Sequence, residues 1–237
     1  MHSSTDKPIV GITMGDAAGI GPEIIIKSLE AGKVYEYCRP VVIGNGPVMR
    51  RACGITGVDW IINEIDDISE AGFACRTMDV LHYDNIAAER LRMGEVDADI
   101  GRAAVVYTQE AGRLALEGKI DAISSAPLNK AAMREAGFHY EGATQILAEL
   151  CGSKNNAMML ILGTLRLIFY SNHLALRDAC DAVKKDRLLS IVKLADESLR
   201  SMGITKPRIA VAALNPHGGE GGLFGHEEIR EIIPAVE

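Results

Sequence analysis

At 237 residues, with 48% hydrophobic and 24% charged side chains, the chain can bury a large core as one large domain or two modest ones. Its formal charge of −7 argues against a nucleic-acid backbone or an anionic membrane as the main partner, because either would repel such a surface, so any bound anion needs a local site. The cysteines (Cys38, Cys53, Cys75, Cys151, Cys180) are odd in number, widely spaced and without a C-x-x-C pair, which points to reduced thiols in a cytoplasmic protein; neither a signal-peptide core nor a membrane-length apolar run is present.

Short β-branched runs alternate with helical patterns from the start: a strand over 8–16, a helix over 21–32, a strand over 41–44. That alternation predicts an α/β fold, a mainly parallel sheet with helices on both faces. Between the first strand and helix lies Thr-Met-Gly-Asp-Ala-Ala-Gly-Ile-Gly-Pro-Glu (13–23), a glycine-rich turn with Pro22 at a favoured first helical position and Glu23 in the first turn. Its free N–H groups suit a phosphate or carboxylate, although Gly15, Gly19 and Gly21 match neither a G-x-G-x-x-G fingerprint nor a P-loop, and ordinary turn chemistry accounts for them as well. Asp16, at the C-terminal end of the first strand, is placed either to face the ligand cleft or to cap the turn.

Residues 101–118 form the next helix, with Ala104, Val105, Thr108, Ala111, Leu114 and Ala115 inward and Gly118 as its left-handed terminator. A buried strand follows over 120–125, and Ser-Ala-Pro-Leu-Asn-Lys (125–130) leaves it, ending in Lys130, either an anion-binding point charge or a solvated helix-start lysine. Asp16 and Lys130 are the candidate catalytic residues. In 141–150, Thr144 is either a substrate hydroxyl donor or a plain N-cap. Residues 158–163 and 165–171 read as antiparallel strands turning at Gly163-Thr164.

His173 follows the second of these strands. A helix over 186–203, with Asp186 as N-cap, Gly203 as terminator and Leu189, Val192, Leu199 and Met202 on one face, leads to a strand over 208–215, and His217 follows in Asn-Pro-His-Gly-Gly-Glu-Gly-Gly (215–222). Two imidazoles just past two strand ends can share one metal ion, although a lone histidine there also serves as a hydrogen-bonded structural group; Glu220 adds a carboxylate, and a third ligand would come from elsewhere. His2, His82, His139 and His226 have no comparable context and read as surface or core. Residues 227–237 look like a helix without a terminating cap. With no linker-like composition, topology places a junction near 127–135, giving an α/β domain over 1–131 and a second domain, with the antiparallel strands, over 132–237.

Taken together, Gly15-DAAGIGPE, Ser125-APLNK, Gly142-ATQILAEL, Asn172-HLALRD and Leu214-NPHGGEGG resemble, in order and approximate spacing, the 4-hydroxythreonine-4-phosphate dehydrogenase family of vitamin B6 biosynthesis and its relatives that oxidise phosphorylated four-carbon acids. The resemblance implies an isocitrate/isopropylmalate-dehydrogenase-like fold and a homodimer with a divalent metal (Zn, Mg or Co) at the subunit interface. It implies His173 and His217 as two of three histidine ligands, Thr144 as a substrate contact, NAD or NADP as oxidant, and a small phosphorylated hydroxy acid as substrate. Metal chelation of hydroxyl and carboxylate, hydride transfer and decarboxylation of the resulting β-keto acid would follow. Two departures bear on this. Gly142-Ala143-Thr144-Gln145 stands where the family has Gly-His-Thr-Glu, so Ala143 removes a substrate-contacting imidazole and opens the choice of acid; Ala17 replaces a proline, a mild change of loop stiffness. The family also continues for roughly another third of its length with the third histidine and much of the nicotinamide site, so this chain is expected to be the N-terminal two-thirds. A non-catalytic metal- or ligand-binding protein is the alternative.

Overall fold

The computed structural model describes residues 7–237, so His2 lies outside the described residues, and the chain divides into two compact units that part between Gly152 and Ser153. The first unit holds a five-stranded sheet of β1 (Ile9–Thr13), β2 (Arg39–Gly44), β3 (Ile61–Ile65), β4 (Thr77–His82) and β5 (Ala122–Ser125), in the order β3-β4-β2-β1-β5. Every neighbouring pair is parallel. The inner strand β2 is buried from Pro40 to Gly44, as a strand covered on both faces requires.

Helices α1 (Gly21–Glu30), α2 (Val34–Tyr37), α3 (Gly46–Thr56), α4 (Ala98–Leu116), α5 (Lys130–Glu135) and α6 (Ala143–Leu150) complete this unit. Asn45 caps α3 by accepting from Val48 N–H at 3.1 Å, and Asp97 caps α4 by accepting from Asp99 and Ile100 N–H. At the other end of α4, Gly118 turns left-handed with φ +70° and Lys119 N–H reaches Leu114 O at 2.9 Å, the terminator expected from sequence. Two glycines let other helices settle on α4. A Cβ on Gly101 would lie 2.2 Å from the Ala132 carbonyl of α5, and one on Gly112 would lie 2.4 Å from a Leu150 methyl of α6. These contacts keep α5 and α6 with the first unit, whose edge falls at Gly152.

The strand expected to be buried over 120–125 is a correction. β5 pairs with β1 alone, so Ala122, Ser124 and Ser125 are exposed and only Ile120 before it and Ala126 after it are buried.

The second unit contains the hairpin β6 (Met159–Leu162) and β7 (Leu165–Ile168), antiparallel with Leu162 opposite Leu165 across Gly163-Thr164. It also contains α7 (Leu176–Ala182), α8 (Lys185–Ser201) and a π-helical turn, Glu228–Ile232, running into α9 (Ile233–Val236). Val183, Leu188, Ile232 and Ala235 form its core. Three expectations change here. Lys184, not Asp186, is the N-cap position of α8, and Glu231 supplies the missing acceptor by taking the Lys185 N–H at 2.7 Å. The buried stripe of α8 is Leu188, Ile191, Ala195 and Leu199; Met202, beyond the last turn, is exposed. Finally, the strand expected over 208–215 forms no ladder: the segment is irregular and largely exposed, because among the described residues no strand pairs with it. Among the described residues no helix is long and apolar enough to cross a membrane.

Candidate active site

In the first unit the loops leaving β1 and β5 are laced together at the carboxyl edge of the sheet. Ala126 N–H donates to Thr13 O at 3.1 Å and Asp16 N–H donates to Pro127 O at 2.9 Å. Only glycine fits at 15: its φ is +69°, and a Cβ would lie 2.4 Å from Pro127 O. Gly21 is equally confined, 2.5 Å from Met14 O by the same measure, which draws the start of α1 against the strand end. Asp16 is buried, and its Oδ1 accepts from Ala18 N–H at 2.9 Å. The turn-capping role is thus filled by one carboxylate oxygen.

Lys130 opens α5 next to the N-cap Asn129, which accepts from Ala131 and Ala132 N–H. Its ammonium is exposed and lies 3.4 Å from Glu141 Oε2, a solvated pairing worth at most about 1 kcal/mol and readily exchanged for another anion. Glu141 in turn donates its N–H to Gln145 Oε1 at 2.8 Å, so the starts of α5 and α6 are tied through one residue. The N-cap of α6 is Gly142, which removes the plain-cap reading of Thr144; its hydroxyl sits in the first turn of α6 on an exposed residue, next to half-buried Ala143. Gln145 does the work of a capping-box partner, reaching back over the helix start.

In the second unit His173 is exposed, in the irregular stretch after β7, and holds φ +57°, a left-handed conformation uncommon outside glycine. His217 follows Asn215-Pro216 at the head of a tight turn in which Gly218, Gly219, Glu220, Gly221 and Gly222 all have positive φ. The ring of His217 is exposed, with Nδ1 3.2 Å from Glu220 Oε1. Donation from Nδ1 to that carboxylate would leave Nε2 for a metal, the arrangement by which a carboxylate orients a metal-bound imidazole. As donors the two exposed imidazoles fit a borderline divalent cation. Among the described residues, however, no group of three or more His, Cys, Asp or Glu side chains is placed to hold one.

Sequence reasoning missed Glu141 and Glu228. The Glu228 carboxylate is buried, and its Oε1 accepts from Asn215 N–H at 2.7 Å, which, ahead of its own and the Leu214 N–H, holds its pKa below the ordinary value. The signal was present as a glutamate on the inward face of the apolar pattern Glu-Ile-Arg-Glu-Ile-Ile.

Three kinds of relative match the chain. A family model described as "Pyridoxal phosphate biosynthetic protein PdxA" matches residues 36–237. A Clostridium botulinum protein named "Putative D-threonate 4-phosphate dehydrogenase" is 41% identical over 232 residues, covering 98% of this chain and 70% of the relative. Among solved structures, a 4-hydroxythreonine-4-phosphate dehydrogenase from Klebsiella pneumoniae superposes with TM-score 0.90 at 41% identity, over 98% of this chain and 70% of that one. A terephthalate 1,2-cis-dihydrodiol dehydrogenase from Burkholderia xenovorans superposes with TM-score 0.62 at 27% identity, over 97% and 69% of the two chains.

Proposed function

The chain belongs to the PdxA family of pyridoxal phosphate biosynthetic proteins, and from that premise we propose that it oxidises a phosphorylated four-carbon hydroxy acid with a nicotinamide cofactor. The match over residues 36–237 carries this reading, since it takes in four of the five ordered motifs, from Ser125 to Gly222. In the reaction the carbinol hydrogen leaves as hydride to NAD or NADP and the hydroxyl proton goes to a base; the β-keto acid so formed then loses CO₂. A divalent metal, Zn, Mg or Co, would be held by His173 and His217 and would supply Lewis acidity at the substrate hydroxyl.

The chain's own groups have separable tasks in this reading. Lys130 exchanges Glu141 for a substrate anion. Thr144 offers a hydroxyl from the first turn of α6. Asp16, with one oxygen committed to Ala18 N–H, acts through the other. In this reading residues 132–237 carry the metal ligands and the dimer contacts, and Thr144 of that stretch joins Lys130 in contacting the substrate. A homodimer is supported by the β6–β7 hairpin, where Leu160, Ile161, Leu162, Leu165 and Leu167 are all at least half exposed, an apolar surface suited to a protein contact; the metal at that interface is what the family resemblance adds.

Among candidate acids, Ala143 favours threonate or erythronate 4-phosphate over 4-phosphohydroxy-L-threonine, because a methyl group replaces the family's imidazole; the Clostridium botulinum relative's name points the same way. A cyclic diol carboxylate is the third candidate, suggested by the name of the 27% identical dihydrodiol dehydrogenase. Turnover of the full-length protein on a panel of these acids tests the choice. Threonate or erythronate phosphate should be oxidised fastest by the parent, and Ala143→His should shift preference toward 4-phosphohydroxy-L-threonine. A parent that oxidises 4-phosphohydroxy-L-threonine fastest would instead assign that amino acid as the substrate.

A further inference from the structure

The buried carboxylate of Glu228 has no place in the chemistry above, yet it costs free energy to bury, and one of its oxygens, Oε2, has no hydrogen-bond partner. Its surroundings give the reason for its position. Oε1 takes the N–H of Asn215 at 2.7 Å, and Asn215 Oδ1 takes the N–H of His217 at 2.9 Å. Asn215 O also takes the N–H of Gly218 at 2.8 Å. Oε2 lies against the turn, 3.0 Å from where a Cβ on Gly219 would stand, so the glycine leaves room for the carboxylate. The π-helical turn that carries Glu228 is anchored in the core of the second unit through Ile232. Two hydrogen bonds in series therefore connect a core-anchored carboxylate to the backbone of His217, in a turn whose four glycines have little conformational preference of their own and whose Glu220 is held at an unfavourable positive φ.

We infer that Glu228 is a positioning residue for His217: through Asn215 it fixes the backbone that presents the imidazole. The role rests on the reading of His217 as a metal ligand and asks of Glu228 only that it accept one N–H. Glutamine can do that through its side-chain carbonyl. Methionine, of similar length, cannot.

The test compares Glu228→Met, Glu228→Gln, Asn215→Ala and His217→Ala by amide hydrogen exchange of the metal-free protein and by Co²⁺ titration followed through the visible absorption of the bound ion. Glu228→Met should speed exchange at Asn215 and His217 at least tenfold, weaken Co²⁺ binding at least tenfold and alter its spectrum. Glu228→Gln should restore all three to within threefold of the parent. Asn215→Ala should expose the His217 amide while leaving the Asn215 amide protected, which keeps the inference testable if Glu228→Met fails to fold. Exchange in Glu228→Met or Asn215→Ala that matches the parent at His217 overturns the inference even where His217→Ala abolishes Co²⁺ binding. Co²⁺ binding unchanged in His217→Ala overturns the metal reading instead, and with it the purpose assigned to Glu228, whatever the exchange rates.

Discussion

Gly101 and Gly118 differ in what a methyl group would meet. Replacing Gly101 by alanine gains about 1 kcal/mol of helix propensity but drives Cβ to 2.2 Å from the Ala132 carbonyl, a backbone group that cannot swing aside. The clash wins, and Gly101→Ala should lower unfolding free energy by about 2 kcal/mol in urea titration. Gly118→Ala meets no atom within 4 Å and should cost only the left-handed penalty of about 1 kcal/mol. The phenols of Tyr35, Tyr83 and Tyr107 titrate far above their ordinary value of 10.0, chiefly through burial. The folded state holds these protons more tightly than the unfolded one, so their contribution is complete below about pH 10 and is lost as pH rises past it. Tyr107→Phe, which removes a phenol bonded to Asn85 at 2.6 Å, should flatten the alkaline fall in unfolding temperature; an unchanged slope would show that Tyr107 does not contribute to it.

Helix α8 shows what local sequence can and cannot disclose about an element. Its amphipathic repeat and Gly203 terminator are legible in the sequence because both act within a few residues. Its N-terminal cap is not legible, because the acceptor is Glu231, 46 residues beyond Lys185 along the chain. Glu231→Ala should destabilise the second unit by about 1 kcal/mol and speed amide exchange at Lys185; Asp186→Ala, at the residue that local sequence favours as the cap, should do neither. The hairpin turn at Gly163-Thr164 was readable because a two-residue loop between apolar runs sets its own register. The segment over 208–215 has equally strand-like composition and remains irregular, since a ladder needs a partner that composition does not reveal.

At the scale of the whole molecule the parallel sheet and the family were legible, the first from alternating periodicity and the second from five motifs in order. Exposure is not legible: it depends on which strand has a neighbour on both sides, and among the described residues β5, whose apolar run predicts burial, is an edge. The exposed hairpin leucines make a prediction at this scale. Leu162→Glu combined with Leu165→Glu should convert a dimer to a monomer in analytical ultracentrifugation while leaving the helix content unchanged; a dimer that persists would place the interface elsewhere. The central claim, a nicotinamide-linked oxidation of a phosphorylated four-carbon hydroxy acid that depends on His173 and His217, is tested most directly by following NAD or NADP reduction in full-length protein given that panel of acids with Zn²⁺, Mg²⁺ or Co²⁺. Turnover should appear with at least one phosphorylated acid and be small with its dephosphorylated form, and His173→Ala and His217→Ala should each lose at least a hundredfold. Absence of reduction with every phosphorylated acid, or rates untouched by both substitutions, would contradict it.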